Sequence, residues 1–148
     1  MNARDILAIK GMALYTIAPK NRLREALAIM ADRNVGSLVC FDNGRMVGML
    51  TFAEVIKAVH ANGAAWGGLR VSEIMVRNPL VGSGDAQVNE LRPFMVANHV
   101  RYLPIMEGDT LLGVISFHDV AKAVLEEQGF ENRMLKAYIR DWPQEVAA

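Results

Sequence analysis

Two hydroxyl-to-acid pairs carry the chemistry of this chain: Ser116 with Asp119, and Thr51 with Glu54, each pair three residues apart. Each follows a glycine and two apolar residues, Gly113-Val114-Ile115-Ser116 and Gly48-Met49-Leu50-Thr51. After Ser116, the residues Val120, Ala121, Val124 and Leu125 recur at helical spacing. The pattern predicts a buried strand, a sharp turn and a helix whose N-cap is the hydroxyl residue. The N–H groups at such a helix start attract anions, phosphate among them. A carboxylate in the same turn repels phosphate but can accept hydrogen bonds from two neighbouring sugar hydroxyls. The turn therefore offers a phosphate end and a ribose end. The structural alternative is a capping box, with acid and hydroxyl satisfying the backbone. Thr51 and Glu54 fit that box well. The shorter Asp119 is expected to reach back less readily, which leaves it for a ligand.

The elements that position these pairs occur twice. An offset of 65 residues aligns Glu25 with Glu90, Met30 with Met95, Val35 with Val100, Leu38 with Leu103, Phe52 with Phe117 and Val55 with Val120. An internal repeat of this length is a supersecondary unit copied in tandem. In order, the first copy reads as an irregular lead-in and short strand over residues 5–17 and a helix over 21–33. A strand from Val35 to Phe41, apolar enough for burial on both faces, comes next. A turn at Asp42-Asn43-Gly44, a return strand from Arg45 to Leu50, and a helix from Thr51 to about His60 complete it. The second copy predicts a strand near Leu80, a helix over 86–98 that Pro93 should kink or shorten, strands over 100–106 and 110–115, and a helix over 117–127. Residues 62–68 are rich in Gly and Ala and read as the link, with Trp66 as a packing anchor. The expected division is repeat 1 over 1–62, a linker over 63–70, repeat 2 over 71–128, and a terminal amphipathic helix over 129–148. Gly129 is expected to break the preceding helix. Phe130, Met134, Tyr138 and Trp142 then form a stripe of large residues, with Leu135 alongside. That stripe either packs on its own domain or meets another subunit.

This ordered set resembles the cystathionine-β-synthase (CBS) domain, which occurs as tandem pairs. The resemblance rests on Gly-apolar-apolar-Ser/Thr-x-x-acid at both corners, on Tyr102-Leu103-Pro104-Ile105 upstream, and on Glu25-Ala26 and Glu90-Leu91. It also rests on the openings Asp5-Ile6-Leu7 with Lys10-Gly11, Thr16-Ile17-Ala18-Pro19, and Ser72-Glu73-Ile74-Met75. It spans about residues 4–126. It implies an α/β chain of the α+β type, with two β-α-β-β-α repeats packed about a pseudo-twofold axis. Neither half has strands enough to bury both faces alone, so one shared core is expected between them.

The same resemblance implies a nucleotide site at each corner. The expected main site takes Asp119 for the ribose, Arg101 and the helix start at Ser116 toward the phosphate, which Lys10 could also serve, and His118 as a ligand contact within the same turn. Lys10, Gly11 and Met12 belong to the lead-in that frames the base, and Gly36 and Ser37 occupy the matching strand start. Thr51 and Glu54 mark a second, doubtful site, because Glu replaces the family's Asp. The ligand is expected to be an adenine nucleotide or related adenosyl compound: AMP, ADP, ATP, NAD or S-adenosylmethionine. No cofactor is required. The module is expected to act as a sensor on a protein partner in trans, most simply as a homodimer. The alternative is a dimeric interaction scaffold that binds no small molecule.

Other chemistry is poorly served. The 148 residues are 52% hydrophobic and carry 16 basic and 16 acidic side chains, so bulk electrostatic binding of nucleic acid is not expected. There is no apolar run long enough to span a membrane. The single Cys40 cannot form an internal disulfide and suits a reducing cytoplasm. His60, His99 and His118 lack metal-ligand spacing. The stretch Val81-Gly82-Ser83-Gly84-Asp85 lacks the third glycine of a dinucleotide fingerprint and reads as a strand-to-helix turn. No nucleophile, base and orienting group can be assembled from the spacing, so no enzyme is expected.

Overall fold

Asn2 and Asp5 decide how the chain begins. The Asn2 side chain accepts from the Asp5 N–H at 2.9 Å, and the Asp5 carboxylate accepts from the Asn2 N–H at 2.9 Å. This capping box starts a helix, α1 (Ala3–Lys10), where an irregular lead-in was expected. Ala3, Ile6 and Leu7 fall on one face of it and are buried. The computed structural model describes residues 1–11 and 14–140.

After β1 (Thr16–Ile17) and α2 (Leu23–Arg33) come β2 (Ser37–Asp42) and β3 (Arg45–Thr51), joined by a tight hairpin. Asn43 and Gly44 both take positive φ, 53° and 75°, as a two-residue hairpin turn requires. Helix α3 (Phe52–Asn62) and a 3-10 turn (Gly63–Gly68) lead into α4 (Val71–Ile74) and β4 (Val76–Arg77). Trp66 is half-buried against the first core. The second copy follows as β5 (Gly82–Ser83), α5 (Val88–Ala97), β6 (Tyr102–Glu107), β7 (Thr110–Ser116) and α6 (Phe117–Arg140). The expected strand near Leu80 is displaced: Leu80 falls between β4 and β5. Helix α5 runs through Pro93, and it starts at Val88, the counterpart of Leu23 in α2, so its first turn is not shortened.

The strands form two sheets, in the orders β1-β2-β3-β4 and β5-β6-β7. In each, the short first strand is parallel to the next and the hairpin is antiparallel. β2 is buried on both faces, with Leu38, Val39 and Cys40 at most 1% exposed.

The expected single core is replaced by two, each built from both copies. Ala3, Ile6 and Leu7 of α1 pack with Leu91, Met95, Leu103, Ile105, Ile115 and Val120 of the second copy. Val71 and Met75, which open the second copy, pack with Leu23, Met30, Leu38, Leu50 and Val55 of the first. The corner glycines explain the exchange. A Cβ on Gly113 would stand 2.8 Å from Leu7 Cδ2, and one on Gly48 would stand 2.7 Å from the Val76 carbonyl oxygen. Each copy leaves out a side chain at the same place so that the other copy's lead-in can lie against its sheet.

Gly129 does not break the last helix. α6 continues through it to Arg140 as one element of 24 residues. An interior glycine costs about 1 kcal/mol relative to alanine, too little to outweigh strong helix formers on both sides. The side chains of Phe130 and Tyr138 and the whole of Trp142 lie outside the described residues. The described part of the stripe does not pack back on the domain: Met134 is 58% and Leu135 57% exposed. No helix among the described residues is long and apolar enough to cross a membrane.

Candidate functional site

Each corner turns a buried strand into a helix, and a reciprocal capping box holds each turn. At the first, the Thr51 N–H donates to Glu54 Oε1 at 2.9 Å, and the single Thr51 hydroxyl proton is shared between Oε1 and Oε2, at 3.0 and 3.1 Å from the hydroxyl oxygen. At the second, the Ser116 N–H donates to Asp119 Oδ2 at 2.8 Å, and the Asp119 N–H donates to Ser116 Oγ at 3.0 Å. The expectation that Asp119 would fall short of its backbone is therefore corrected. With the hydroxyl turned to accept from its own helix, the shorter acid still reaches the N-cap N–H.

The corners differ in what remains to accept. Both Glu54 oxygens lie within hydrogen-bond distance of the Thr51 hydroxyl, and Oε1 also receives the Thr51 N–H. Asp119 Oδ2 receives Ser116 and also the Lys10 ammonium, at 2.8 Å, while Oδ1 accepts no hydrogen bond among the described residues. Lys10 lies in the last turn of α1, which the exchange of lead-ins has carried onto the second copy. Its Nζ also donates to the Val114 carbonyl at 3.1 Å. Burial pushes the Asp119 carboxyl up, but the bonds from Lys10 and Ser116 outweigh it and hold the group below the usual carboxylate range. It is an anion at neutral pH.

A cleft of about 530 Å³ opens between the two copies beside this corner. Lys10, Gly11, Gly36, Ser37, Arg101, Ser116 and His118, all expected at one site, line it together. Met12 lies outside the described residues. Asp119 borders a smaller space of about 280 Å³, which also touches Lys10, His118 and Lys122. Lys10 and His118 border both spaces.

The walls include residues that spacing did not single out: Leu14, Tyr15, Val39, Phe52, Tyr102 and Phe117. Tyr102 and Phe52 meet edge to face, with ring centroids 6.1 Å apart. A Cβ on Gly36 would collide with the Tyr102 ring and its hydroxyl, so glycine there admits the aromatic from the other copy. Burial raises the Tyr102 phenol, with Asp119 adding to the rise and Arg101 opposing it.

Thr51 and Glu54 line a separate cleft of about 300 Å³ with Pro79, Leu80, His99, Arg101 and Tyr102. The clefts are related by the offset of 65 residues, so one predicts the other's lining. Gly36 and Ser37 become Arg101 and Tyr102, and Tyr15 becomes Leu80, whereas Met75, the counterpart of Lys10, is buried in the first core and does not line the second cleft. Tyr15 and Tyr102 could have been found by carrying that offset through the apolar positions. Arg101, expected at the main site alone, borders both clefts.

Among the described residues, no group of three His, Cys, Asp or Glu is placed to hold a metal ion. Cys40 is fully buried, and burial, with Glu54 nearby, pushes its thiol up to about 12. It is protonated and unsuited to nucleophilic work.

Comparison with known proteins bears on the two copies directly. The sequence profile of the CBS domain matches this chain twice, over residues 3–61 and 71–126. The CBS domain-containing protein YhcV of Bacillus subtilis is 28% identical over 106 residues, covering 72% of this chain and 75% of that protein. The crystal structure of the CBS-domain containing protein ATU1752 from Agrobacterium tumefaciens superposes with a TM-score of 0.80 at 30% identity, over 83% of this chain and 98% of that one. The CBS domain pair of protein MJ0100, solved with 5′-methylthioadenosine and S-adenosyl-L-methionine, superposes with a TM-score of 0.74 at 23% identity, over 86% and 98%. The two matched stretches contain the two copies read from the offset, each with its own strand–turn–helix corner: the chain belongs to the CBS domain family and is a tandem pair.

Proposed function

We propose that this CBS pair is a regulatory module that binds one adenine nucleotide or related adenosyl compound in the larger cleft, at the corner of Ser116 and Asp119. The observation that carries this reading is the asymmetry of the two acids. Asp119 is ionised and has one oxygen that accepts no hydrogen bond among the described residues, whereas both Glu54 oxygens lie within hydrogen-bond distance of the Thr51 hydroxyl. A ribose offers two adjacent hydroxyls to such an acceptor. The apolar walls from Leu14, Val39 and Phe117 suit a flat base, and Arg101 and Lys10 suit a phosphate. Clefts between domains are the usual place for such ligands. The MJ0100 pair, solved with adenosyl compounds, supports the fold as a host for them.

Ligand would act by favouring one arrangement of the two copies, and only as far as its affinities for the arrangements differ. The effect passes to a partner protein in trans, in a reducing compartment such as the cytoplasm, where a lone buried cysteine is at home.

A thermal-shift series with AMP, ADP, ATP, NAD and S-adenosylmethionine tests the reading. Ligand at a hundredfold over its Kd stabilises by about 2.7 kcal/mol, so at least one compound should raise the melting temperature by several degrees. No shift with any of them at millimolar concentration contradicts it.

A second reading has its own observation. Met134 and Leu135 stand exposed on the extension of α6, beyond the matched repeats. This supports a dimeric interaction module in which the terminal helix is the working surface. It predicts no thermal shift and an oligomeric state that depends on that helix.

A further inference from the structure

The segments around Arg22 and Arg70 gather positive charge away from the clefts. Their backbones pair antiparallel: the Leu23 N–H donates to the Leu69 carbonyl at 2.7 Å, the Val71 N–H to the Asn21 carbonyl at 2.8 Å, and the Ser72 N–H to the Pro19 carbonyl at 2.9 Å. Lys20, Arg22, Arg24, Arg70 and Arg77 stand exposed on and beside this pairing. None of them lines the spaces at the corners.

The arginines are held in place by backbone. Arg22 Nη1 donates to the Gly68 carbonyl, Arg24 Nε to the Gly67 carbonyl at 3.2 Å, Arg70 Nη1 to the Lys20 carbonyl at 2.6 Å, and Arg77 Nη2 to the Ser72 carbonyl at 3.1 Å. Each keeps the rest of its donor fork. Among the described residues, ion pairs are made by the Met1 ammonium, Arg4 and Lys10, so these arginines have no counter-ion there. The acids of the pairing are engaged at helix starts: Glu25 accepts from the Arg22 N–H and the Asn21 side chain, and Glu73 accepts from the Arg70 N–H.

The second copy has the same pairing without the cations. At the offset of 65 residues, Lys20, Arg22 and Arg24 become Asp85, Gln87 and Asn89, and the bridge between Arg22 and Arg70 becomes one between Gln87 and Asn2. Arg4, beside that bridge, is paired with Asp85 at 2.8 Å and Glu107 at 3.1 Å. The pairing folds without the charge, so the cations of the first copy are not a requirement of the fold.

We propose that this face of the first copy docks the protein partner, and that the partner presents a segment rich in Asp and Glu. The inference rests on the reading of a module that acts in trans and is independent of the adenosyl site. Arginines already held by carbonyls lose little freedom on binding, and their forks match carboxylates. Among the described residues, the exposed aromatics Phe52 and Phe117 line the larger cleft and Trp66 packs on the first core, so the face offers no platform for the stacked bases of a single-stranded nucleic acid. A second copy of the chain is a poor occupant, because the acids at its matching face, Asp85 and Glu107, are already paired with Arg4.

Fluorescence anisotropy of the full chain tests this with labelled decaglutamate, decalysine and an oligothymidylate of equal length, at low and high salt. Wild type should bind decaglutamate, lose roughly tenfold in affinity at high salt, ignore decalysine and bind the oligonucleotide more weakly. Arg22→Gln, Arg24→Asn and Arg70→Asn together give the first copy the residues of the second. They should weaken decaglutamate by roughly tenfold or more. Lys57→Gln, Arg92→Gln and Lys136→Gln remove the same charge at exposed positions elsewhere and should cost less than about threefold.

No binding of decaglutamate by wild type overturns the proposal, and so does an equal loss in both sets of variants, which makes bulk charge the cause. Oligothymidylate bound as tightly as decaglutamate assigns the face to nucleic acid instead. A molar mass by light scattering that rises with concentration at low salt, and falls in the Arg22, Arg24 and Arg70 variant, assigns it to a second copy. Each of these leaves the adenosyl site in place, since no probe carries adenosine, and an absent thermal shift with adenosyl compounds leaves this proposal in place. The comparison of probes on wild type stands whether or not a variant folds.

Discussion

The Lys10 ammonium and the Asp119 carboxylate, 109 residues apart in the chain, meet at 2.8 Å. The contact joins the last turn of the first helix to the first turn of the last one. It exists because α1 crosses onto the second copy, so the residue before Gly11 arrives at the corner its own repeat does not contain.

That pair has a pH signature. Asp119 titrates lower in the folded chain than a free carboxylate, so its contribution to stability is complete above the unfolded value, about 3.9. The contribution is lost as pH falls through the lower folded value, because protonation then removes the bonds from Lys10 and Ser116. Urea midpoints at pH 7 and pH 3 should fall further for wild type than for Asp119→Asn. Equal falls would place the acid sensitivity elsewhere.

Both corners are capping boxes, and both acids should matter to stability. Glu54→Ala and Asp119→Ala should each cost about 1 kcal/mol in chemical denaturation at neutral pH. A loss at Glu54 alone would mean that Ser116 caps α6 without its acid.

The exchange of lead-ins can be tested at Gly113. Its Cβ would press on Leu7. Gly113→Ala should destabilise by about 1–3 kcal/mol, and Leu7→Ala by roughly 2–5 kcal/mol. Combined, they should cost less than the sum, because the shortened Leu7 makes room for the new methyl. Strict additivity in a denaturation series would contradict the contact.

The repeat at 65 residues made the two hairpins, the two corners and the family legible. Spacing alone is sufficient there, because each copy repeats the same apolar alternation and the same turn residues. The exchange was not legible. Nothing in the order of residues says which sheet a lead-in will lie against; the clue is a glycine whose missing side chain only the folded chain explains. α1 was not expected, although its box of Asn2 and Asp5 has the same short acid as that of Ser116 and Asp119. The continuity of α6 through Gly129 turned on a small propensity cost against long flanking helix formers. At the site, Lys10 and Asp119 were each expected, but their pairing follows only from the exchange.

The exposed end of α6 bears on assembly. Met134→Glu combined with Leu135→Glu should lower the molar mass by light scattering if that surface joins subunits. An unchanged mass would show that the assembly, whatever its size, does not use these two residues.

The central claim is a single adenosyl site at the Asp119 corner, and calorimetric titration of AMP into wild type, Asp119→Ala and Glu54→Ala tests it most directly. The account predicts about one site per chain in wild type. It predicts binding weakened roughly tenfold to a few hundredfold in Asp119→Ala, since charged hydrogen bonds of about 1.5–3 kcal/mol each are lost. Glu54→Ala should bind as wild type does. Undiminished binding by Asp119→Ala, with loss in Glu54→Ala, would place the site in the other cleft and contradict the account.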